Sequence, residues 1–177
     1  GVTRDEAIYQ MGDIVDEQSL AEKIRILRNH GPSILLNTPR AEWTSRDREA
    51  AKKATRHYLA ENSTVDETIQ GYLKLKTDAI FTYGMRRMSS LLERRGVVVF
   101  QYLFSHVGVP SYTDVHGMTE CIVPRGVCHA EDLFYLFDPA MGEATSRLCE
   151  ADERVRNFML KYWTNFARTG DPNDEKL

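Results

Sequence analysis

One apolar segment, residues 97–104, constrains the fold more than any other part of this sequence. Gln101 is its one strongly polar residue, and β-branched and aromatic side chains predominate between Gly96 and Gly108. Such a run predicts a β-strand buried on both faces, as in a parallel or mixed sheet covered by helices. A strand of this kind needs neighbouring strands to pair its backbone N–H and C=O groups. The other strands of its sheet are therefore either cryptic in this sequence or lie outside it.

Helical periodicity accounts for most of the remaining sequence, so the predicted fold class is α/β, rich in helices and with few strands. Helices are predicted over residues 19–29, 46–60, 64–95 and 152–168. Gly31 and Pro32 are expected to end the first helix, and capping boxes at Thr44 and Thr64 to begin the next two. The apolar face of the fourth helix is expected to pack in the core. Its residues are Val155, Phe158, Met159, Tyr162, Trp163 and Phe166.

Composition is that of an ordinary globular protein, and 177 residues are enough for one domain. Hydrophobic residues make up 42% and the net charge is −3, which argues against nucleic-acid binding and against a polybasic membrane surface. No apolar run is long enough to span a bilayer. The cysteines Cys121, Cys128 and Cys149 are odd in number and form no CxxC, which disfavours zinc. Asn62 begins the sequon Asn62-Ser63-Thr64, a possible glycosylation site if the protein is secreted.

His129 lies on a glycine-preceded loop before a short apolar segment. Taken alone, this pattern favours a histidine that hydrogen-bonds the loop backbone, and it also permits a general base held in one tautomer by a partner. Glu6 is separated from it by more than a hundred residues. Spacing cannot select it as that partner from the 26 acidic residues, so the residues alone leave both interpretations open.

Two segments carry a resemblance to a known family. Gly1-Val2-Thr3-Arg4-Asp5-Glu6 resembles the segment that holds the triad acid of type B, cholinesterase-like carboxylesterases of the α/β-hydrolase fold. Gly126-x-x-His129-x-x-Asp132-Leu133 resembles that family's histidine segment, and the wording Cys128-His129-Ala130-Glu131-Asp132-Leu133 is similar to invertebrate detoxification and hormone esterases. Further landmarks occur in the family's order at residues 78–81, 99–106 and 162–173.

The resemblance implies an ester hydrolase in which Glu6 is the triad acid and His129 the base, within hydrogen-bond distance of each other. It implies a small-molecule carboxylic ester as substrate, no cofactor, no metal, and a secreted or endoplasmic-reticulum location, with a cytoplasmic one as the alternative. The Gly-x-Ser-x-Gly elbow is absent from the sequence. The nucleophile is therefore expected on an upstream part of the same esterase. Residues 1–177 are expected to form a partial α/β-hydrolase domain, a C-terminal-side fragment that is inactive alone.

Neighbouring residues receive lesser roles. Asp132 is expected to support the start of the helix after the histidine loop, Glu131 to be a solvated first-turn acid, and His106 to hydrogen-bond locally. Ala7 departs from the family's usual glycine after the acid, and a required positive φ there would strain it. The alternative function is that of a cholinesterase-like adhesion protein that keeps the fold without the chemistry. Retention of both Glu6 and His129 argues against it.

Overall fold

Two short parallel strands join the beginning of the chain to its middle. A computed structural model describes residues 1–109, 111–115, 118, 120–137 and 148–173. In it β1 (Val2–Thr3) pairs with β2 (Leu103–Phe104), with Val2 opposite Leu103. Parallel strands need a long crossover, and here the crossover is helical. This pairing brings the segment after β1 close to the loops that follow β2.

Helices make up most of the described residues. The α-helices are α1 (Glu17–Leu36), α2 (Ser45–Tyr58), α3 (Val65–Thr77), α4 (Tyr83–Glu93), α5 (Tyr112–Val115), α6 (Leu133–Leu136) and α7 (Glu150–Thr169). Two 3₁₀ helices cover Glu6–Gln10 and Arg40–Glu42, and a π-helix, Asp78–Thr82, joins α3 to α4. The described helices are too short or too polar to cross a membrane.

Capping chemistry explains where the central helices begin. Thr44 accepts a hydrogen bond from the backbone of Asp47, whose carboxylate accepts from Thr44 in return, and Thr64 and Glu67 repeat this arrangement. Both capping boxes confirm the sequence prediction. The predicted end of α1 at Gly31 was wrong, because the helix kinks at His30 and continues to Leu36.

The prediction of a strand over residues 97–104, buried on both faces, was also wrong in its extent and burial. Only Leu103 and Phe104 are paired, and the side chain of Val98 is 76% exposed. A ladder extends only as far as its partner strand, and β1 contributes two residues. The remaining residues of the segment therefore have no ladder partner among the described residues.

The expected core face of α7 is only partly buried. Val155 and Met159 pack against a cluster formed by Phe104, Val127, Phe134 and Tyr135. The aromatic residues are exposed, and all of them except Phe158 line a groove of about 450 Å³, where Phe166 remains 51% exposed. We call this the apolar groove. Its exposed aromatic lining is Phe100, Tyr162, Trp163 and Phe166. The expectation that these side chains form core packing is wrong for the described structure, because nothing in it covers them.

Candidate active site

Glu6 lies three residues after the end of β1 and opens the Glu6–Gln10 3₁₀ helix. Its side chain is only 5% exposed, and its Oε1 accepts a hydrogen bond of 2.7 Å from the backbone N–H of Thr3. The next residue, Ala7, is fully buried, and its N–H donates to Thr77 Oγ1. Ala7 does not have a positive φ. Alanine in place of the family's glycine therefore introduces no backbone strain at this position.

His129 lies on a loop that runs beside the acid segment. Its backbone N–H donates to the Glu6 carbonyl at 3.3 Å. Its ring Nδ1 lies 2.6 Å from Glu6 Oε2, although 123 residues separate the two in sequence. The His129 side chain is 51% exposed. The expected hydrogen-bond distance is thus confirmed, between a buried carboxylate and an imidazole that remains accessible from solvent.

Two aromatic rings contact the His129 imidazole. The Tyr9 ring, from the 3₁₀ helix, has its centroid 5.5 Å away, and the Phe81 ring, from the π-helix, lies at 5.0 Å. Both rings are tilted with respect to the imidazole, and they meet each other edge to face. Isolated π-helical turns are often found at functional sites. Here the π-helix Asp78–Thr82 carries the ring that packs against His129.

The backbone turns sharply after His129. Ala130 has a φ of 66°, one of two non-glycine residues with positive φ among those described. A non-glycine residue in this left-handed region costs about 1–3 kcal/mol, and such conformations cluster at functional sites. The turn separates the His129 loop from α6, which begins three residues later.

Asp132 occupies the N-cap position of α6, but its side chain makes no capping hydrogen bond. Its Oδ2 instead accepts a hydrogen bond of 2.7 Å from the Tyr102 hydroxyl, next to β2. Burial raises the pKa of the Tyr102 hydroxyl, and the Asp132 carboxylate raises it further, so the phenol stays a donor. Asp132 thus connects the end of the histidine loop to the strand region rather than capping the helix.

Glu131 is not the solvated acid that its position suggested. It is buried, and its Oε1 accepts hydrogen bonds from the Ser111 hydroxyl at 2.6 Å and the Tyr112 backbone N–H at 3.2 Å. Burial raises the pKa of the Glu131 carboxyl above its ordinary value. A position in the first turn of a helix predicts an exposed side chain. The contact of Glu131 with the loop before α5 buries it instead.

His106 makes a long-range contact rather than the local one expected. Its Nε2 lies 2.7 Å from Oδ1 of Asp152, a fully buried residue of α7. Asp152 also accepts from the Tyr135 hydroxyl and from the backbone N–H groups of Val109 and Cys149. Burial by itself raises the pKa of this carboxyl, but the hydrogen bonds, that of His106 foremost, outweigh it and hold the pKa at about 2.

Sequence reasoning missed the Asp152 network altogether. The sequence places Asp152 only at the start of an amphipathic helix, and no motif connects it to His106 or to Tyr135. Tyr135 is deeply buried beside Phe104. A large aromatic with a hydroxyl in an apolar stretch requires a polar partner when buried, which is the one signal that could have indicated this network.

The three cysteines are free. Cys128, beside His129 in sequence, is completely buried. Burial raises the pKa of its thiol to about 12, with a further contribution from the Glu131 charge, so it is a poor nucleophile. Within the described residues no group of three or more His, Cys, Asp or Glu side chains could hold a metal ion. Asn62 is exposed on the turn that precedes α3.

Comparisons with known proteins point to one family. The model of the carboxylesterase family matches residues 1–177. The chain is 33% identical to a juvenile hormone esterase of Tribolium castaneum over 129 residues, which cover 69% of this chain and 22% of that protein. It is 39% identical to pyrethroid hydrolase Ces2a of Mus musculus over 155 residues, 86% of this chain and 26% of that protein. The chain thus spans about a quarter of the length of these relatives.

A solved structure resembles the chain over almost its whole length. The crystal structure of juvenile hormone esterase from Manduca sexta, with OTFP covalently attached, has a TM-score of 0.61 and 23% sequence identity to it. The match covers 98% of this chain and 32% of that one. The likeness shows an α/β-hydrolase fold, and the described part of the chain is rich in helices with two short paired strands.

Proposed function

This chain belongs to the carboxylesterase family, and from that premise we propose that Glu6 and His129 are the acid and the base of a serine carboxylic ester hydrolase. The observation that carries the proposal is the hydrogen bond of 2.6 Å between Glu6 Oε2 and His129 Nδ1. The order acid then histidine along the chain agrees with the order of the triad in α/β-hydrolases. The proposed substrate class is a small-molecule carboxylic ester.

The geometry suits the work of a general base. With Nδ1–H donating to the Glu6 carboxylate, the neutral imidazole keeps Nε2 free to accept a proton from a serine hydroxyl. The same carboxylate stabilises the imidazolium that forms during attack on the ester carbonyl. Nε2 then returns the proton to the leaving alcohol, and in the second half-reaction it activates water to release the acyl group. A base in this role contributes about 10²- to 10⁴-fold to the rate.

The nucleophile has to come from another part of the same esterase, because this sequence contains no Gly-x-Ser-x-Gly elbow. The apolar groove supports the proposal that further parts of the esterase pack against this chain. Phe100 lies beside β2 and Phe166 on α7, and their rings meet at a centroid distance of 6.0 Å while both stay exposed. Strands of a central sheet laid over this groove would bury both. By itself the chain is proposed to be inactive.

A secreted or endoplasmic-reticulum location is proposed for the esterase. The family membership favours it. The exposed position of Asn62 before α3 leaves its sequon accessible to glycosylation. Treatment of the secreted protein with peptide N-glycosidase should lower its mass, and the Asn62→Gln variant should not respond if this is the site used.

The test uses a longer esterase that contains both this chain and a Gly-x-Ser-x-Gly segment, and it measures the turnover of p-nitrophenyl acetate. A fluorophosphonate probe labels serines that a base activates, so labelling of the elbow serine should require both Glu6 and His129. A matched control is His57→Ala, which removes an exposed histidine of α2. A folded protein that neither turns over the ester nor reacts with the probe would favour the adhesion-protein alternative.

A further inference from the structure

We propose that Asp5 is a positioning residue whose carboxylate holds the backbone of the His129 loop, so that the imidazole meets Glu6 in one fixed orientation. The proposal rests on the proposed function, since it assigns a role that acts through His129. Glu6 contacts the ring, whereas Asp5, the residue before it, contacts the loop two residues before the ring. The two adjacent acids therefore have separate tasks.

Two hydrogen bonds join Asp5 and Val127, one donated by the backbone N–H of each residue. The Asp5 backbone N–H donates to the Val127 carbonyl at 3.0 Å, and the Val127 N–H donates to Asp5 Oδ2 at 2.9 Å. Two residues further on, the His129 N–H donates to the Glu6 carbonyl. These bonds fix the loop against the acid segment, and since Val127 is fully buried, water cannot readily replace them.

Gly126 shows how closely the loop rests on Asp5. A Cβ atom built on Gly126 would lie 2.5 Å from Asp5 Oδ2 and 2.6 Å from Cδ1 of Ile8. Real Cβ atoms do not approach other atoms so closely. Any larger residue at this position must therefore push the loop away from the carboxylate or turn the carboxylate away from Val127.

A second partner holds the Asp5 carboxylate in place. Arg4 Nε donates to the same Oδ2 atom at 2.9 Å, and its Nη2 lies at the same distance. The Asp5 side chain is largely buried while that of Arg4 is about half exposed. A charged acceptor makes a stronger hydrogen bond to a backbone N–H than a neutral one does, so the ionised carboxylate suits the loop better than an amide.

The experiment reads the His129 tautomer by ¹⁵N NMR in the 177-residue chain labelled at histidine. Free neutral imidazole favours the Nε2–H tautomer, and a carboxylate on Nδ1 reverses that preference. The wild-type chain should show His129 as Nδ1–H. Asp5→Ala should shift it towards Nε2–H, and Asp5→Asn, which keeps one acceptor oxygen, should retain most of the Nδ1–H form. Glu22→Gln, which removes another arginine-paired acid, is the matched control and should change nothing.

The variants separate this inference from the proposed function. If Glu6→Gln leaves the His129 tautomer unchanged, the acid–base pair itself is wrong. If Glu6→Gln shifts it while Asp5→Ala and Gly126→Ala both leave it as in the wild type, the positioning role of Asp5 is overturned. The signals of His30 and His57, on α1 and α2, report whether each variant is folded. If Asp5→Ala does not fold, Gly126→Ala alone tests the proposal. A shift of the His129 tautomer towards Nε2–H then supports it, and no shift overturns it.

Discussion

The acid–histidine site and the apolar groove differ in how far the chain provides partners for their side chains. At the site, both oxygens of the buried Glu6 carboxylate have partners, one in the Thr3 backbone and one in the His129 ring. In the groove, Phe166 and Trp163 lie exposed although their side chains are strongly apolar. The Glu6 carboxylate of the first region is fully paired within the chain, whereas the aromatic side chains of the second are not covered by anything in the described structure.

The contrast indicates which parts of the fold this chain can complete from its own residues. The site is built from the segment after β1, the loop around His129 and the π-helix that carries Phe81, all of which belong to this chain. The groove needs a large apolar surface to pack against it, since each buried aromatic or aliphatic side chain contributes about 1.5–3 kcal/mol when fully buried. A chain can therefore form the site while its groove remains open.

The largest expected effect concerns the site in a longer esterase that contains this chain. His129→Ala should lower kcat for an aryl ester by about 10²- to 10⁴-fold, because the base that activates the serine is lost. Glu6→Gln should also lower kcat, less severely, since the imidazole keeps its place but loses its charged partner. Steady-state kinetics with folded variants measures both. Rates equal to the wild type for His129→Ala would contradict the assignment.

Two aromatic deletions compare the core with the groove directly. In the 177-residue chain, Phe134→Ala should lower the free energy of unfolding by about 3–5 kcal/mol, because Phe134 is 1% exposed and stacks on Tyr112. Phe166→Ala should change it by less than about 0.5 kcal/mol. Urea denaturation followed by circular dichroism gives both values.

The same pair of variants in a longer esterase sharpens the comparison. If strands cover the apolar groove there, Phe166→Ala becomes costly while the effect of Phe134→Ala is unchanged. An equal and large loss for both variants in the short chain would show that the groove is already closed in solution.

A pH titration tests the Asp152 network that connects α7 to the loops after β2. The pKa of Asp152 is about 2 in the folded chain, below its ordinary value of 3.8. A lowered folded-state pKa stabilises the fold fully above about pH 4, and this contribution is lost as the pH falls towards 2. Its size is about 2 kcal/mol for this fully buried side chain.

Asp152→Asn should therefore be less stable than the wild type at pH 6, with the difference shrinking between pH 4 and pH 2. Urea denaturation at several pH values measures it. Glu49→Gln, which alters an exposed acid of α2, should show no such pH-dependent difference. A constant difference for Asp152→Asn across the whole range would mean that its carboxylate is not held by these donors.

The smallest expected effect concerns the turn after the acid. Ala7→Gly restores the glycine usual in the family, but Ala7 is buried and has no positive φ. The added freedom of the unfolded chain should cost about 0.5–1 kcal/mol, measurable by urea denaturation. A gain in stability would indicate that the alanine is strained after all.

Sequence reasoning succeeded where the determining contacts are local or carried by a motif. The capping boxes at Thr44 and Thr64 lie within four residues, and the family segments predicted the contact between Glu6 and His129. It failed where burial depends on distant segments. Glu131 is covered by the Ser111 loop, and His106 contacts Asp152. Neither of these contacts leaves a periodic signal in the sequence.

The separation of 123 residues between Glu6 and His129 also has a consequence for biosynthesis. A ribosome adds about 5–20 residues per second, so roughly 6–25 s pass between the synthesis of the acid and that of its histidine. Helices α1 to α4 are completed in that interval and can form from local contacts. The Glu6 carboxylate therefore has no histidine partner until the His129 loop has been synthesised, so the site can assemble only after helices α1 to α4 have been synthesised.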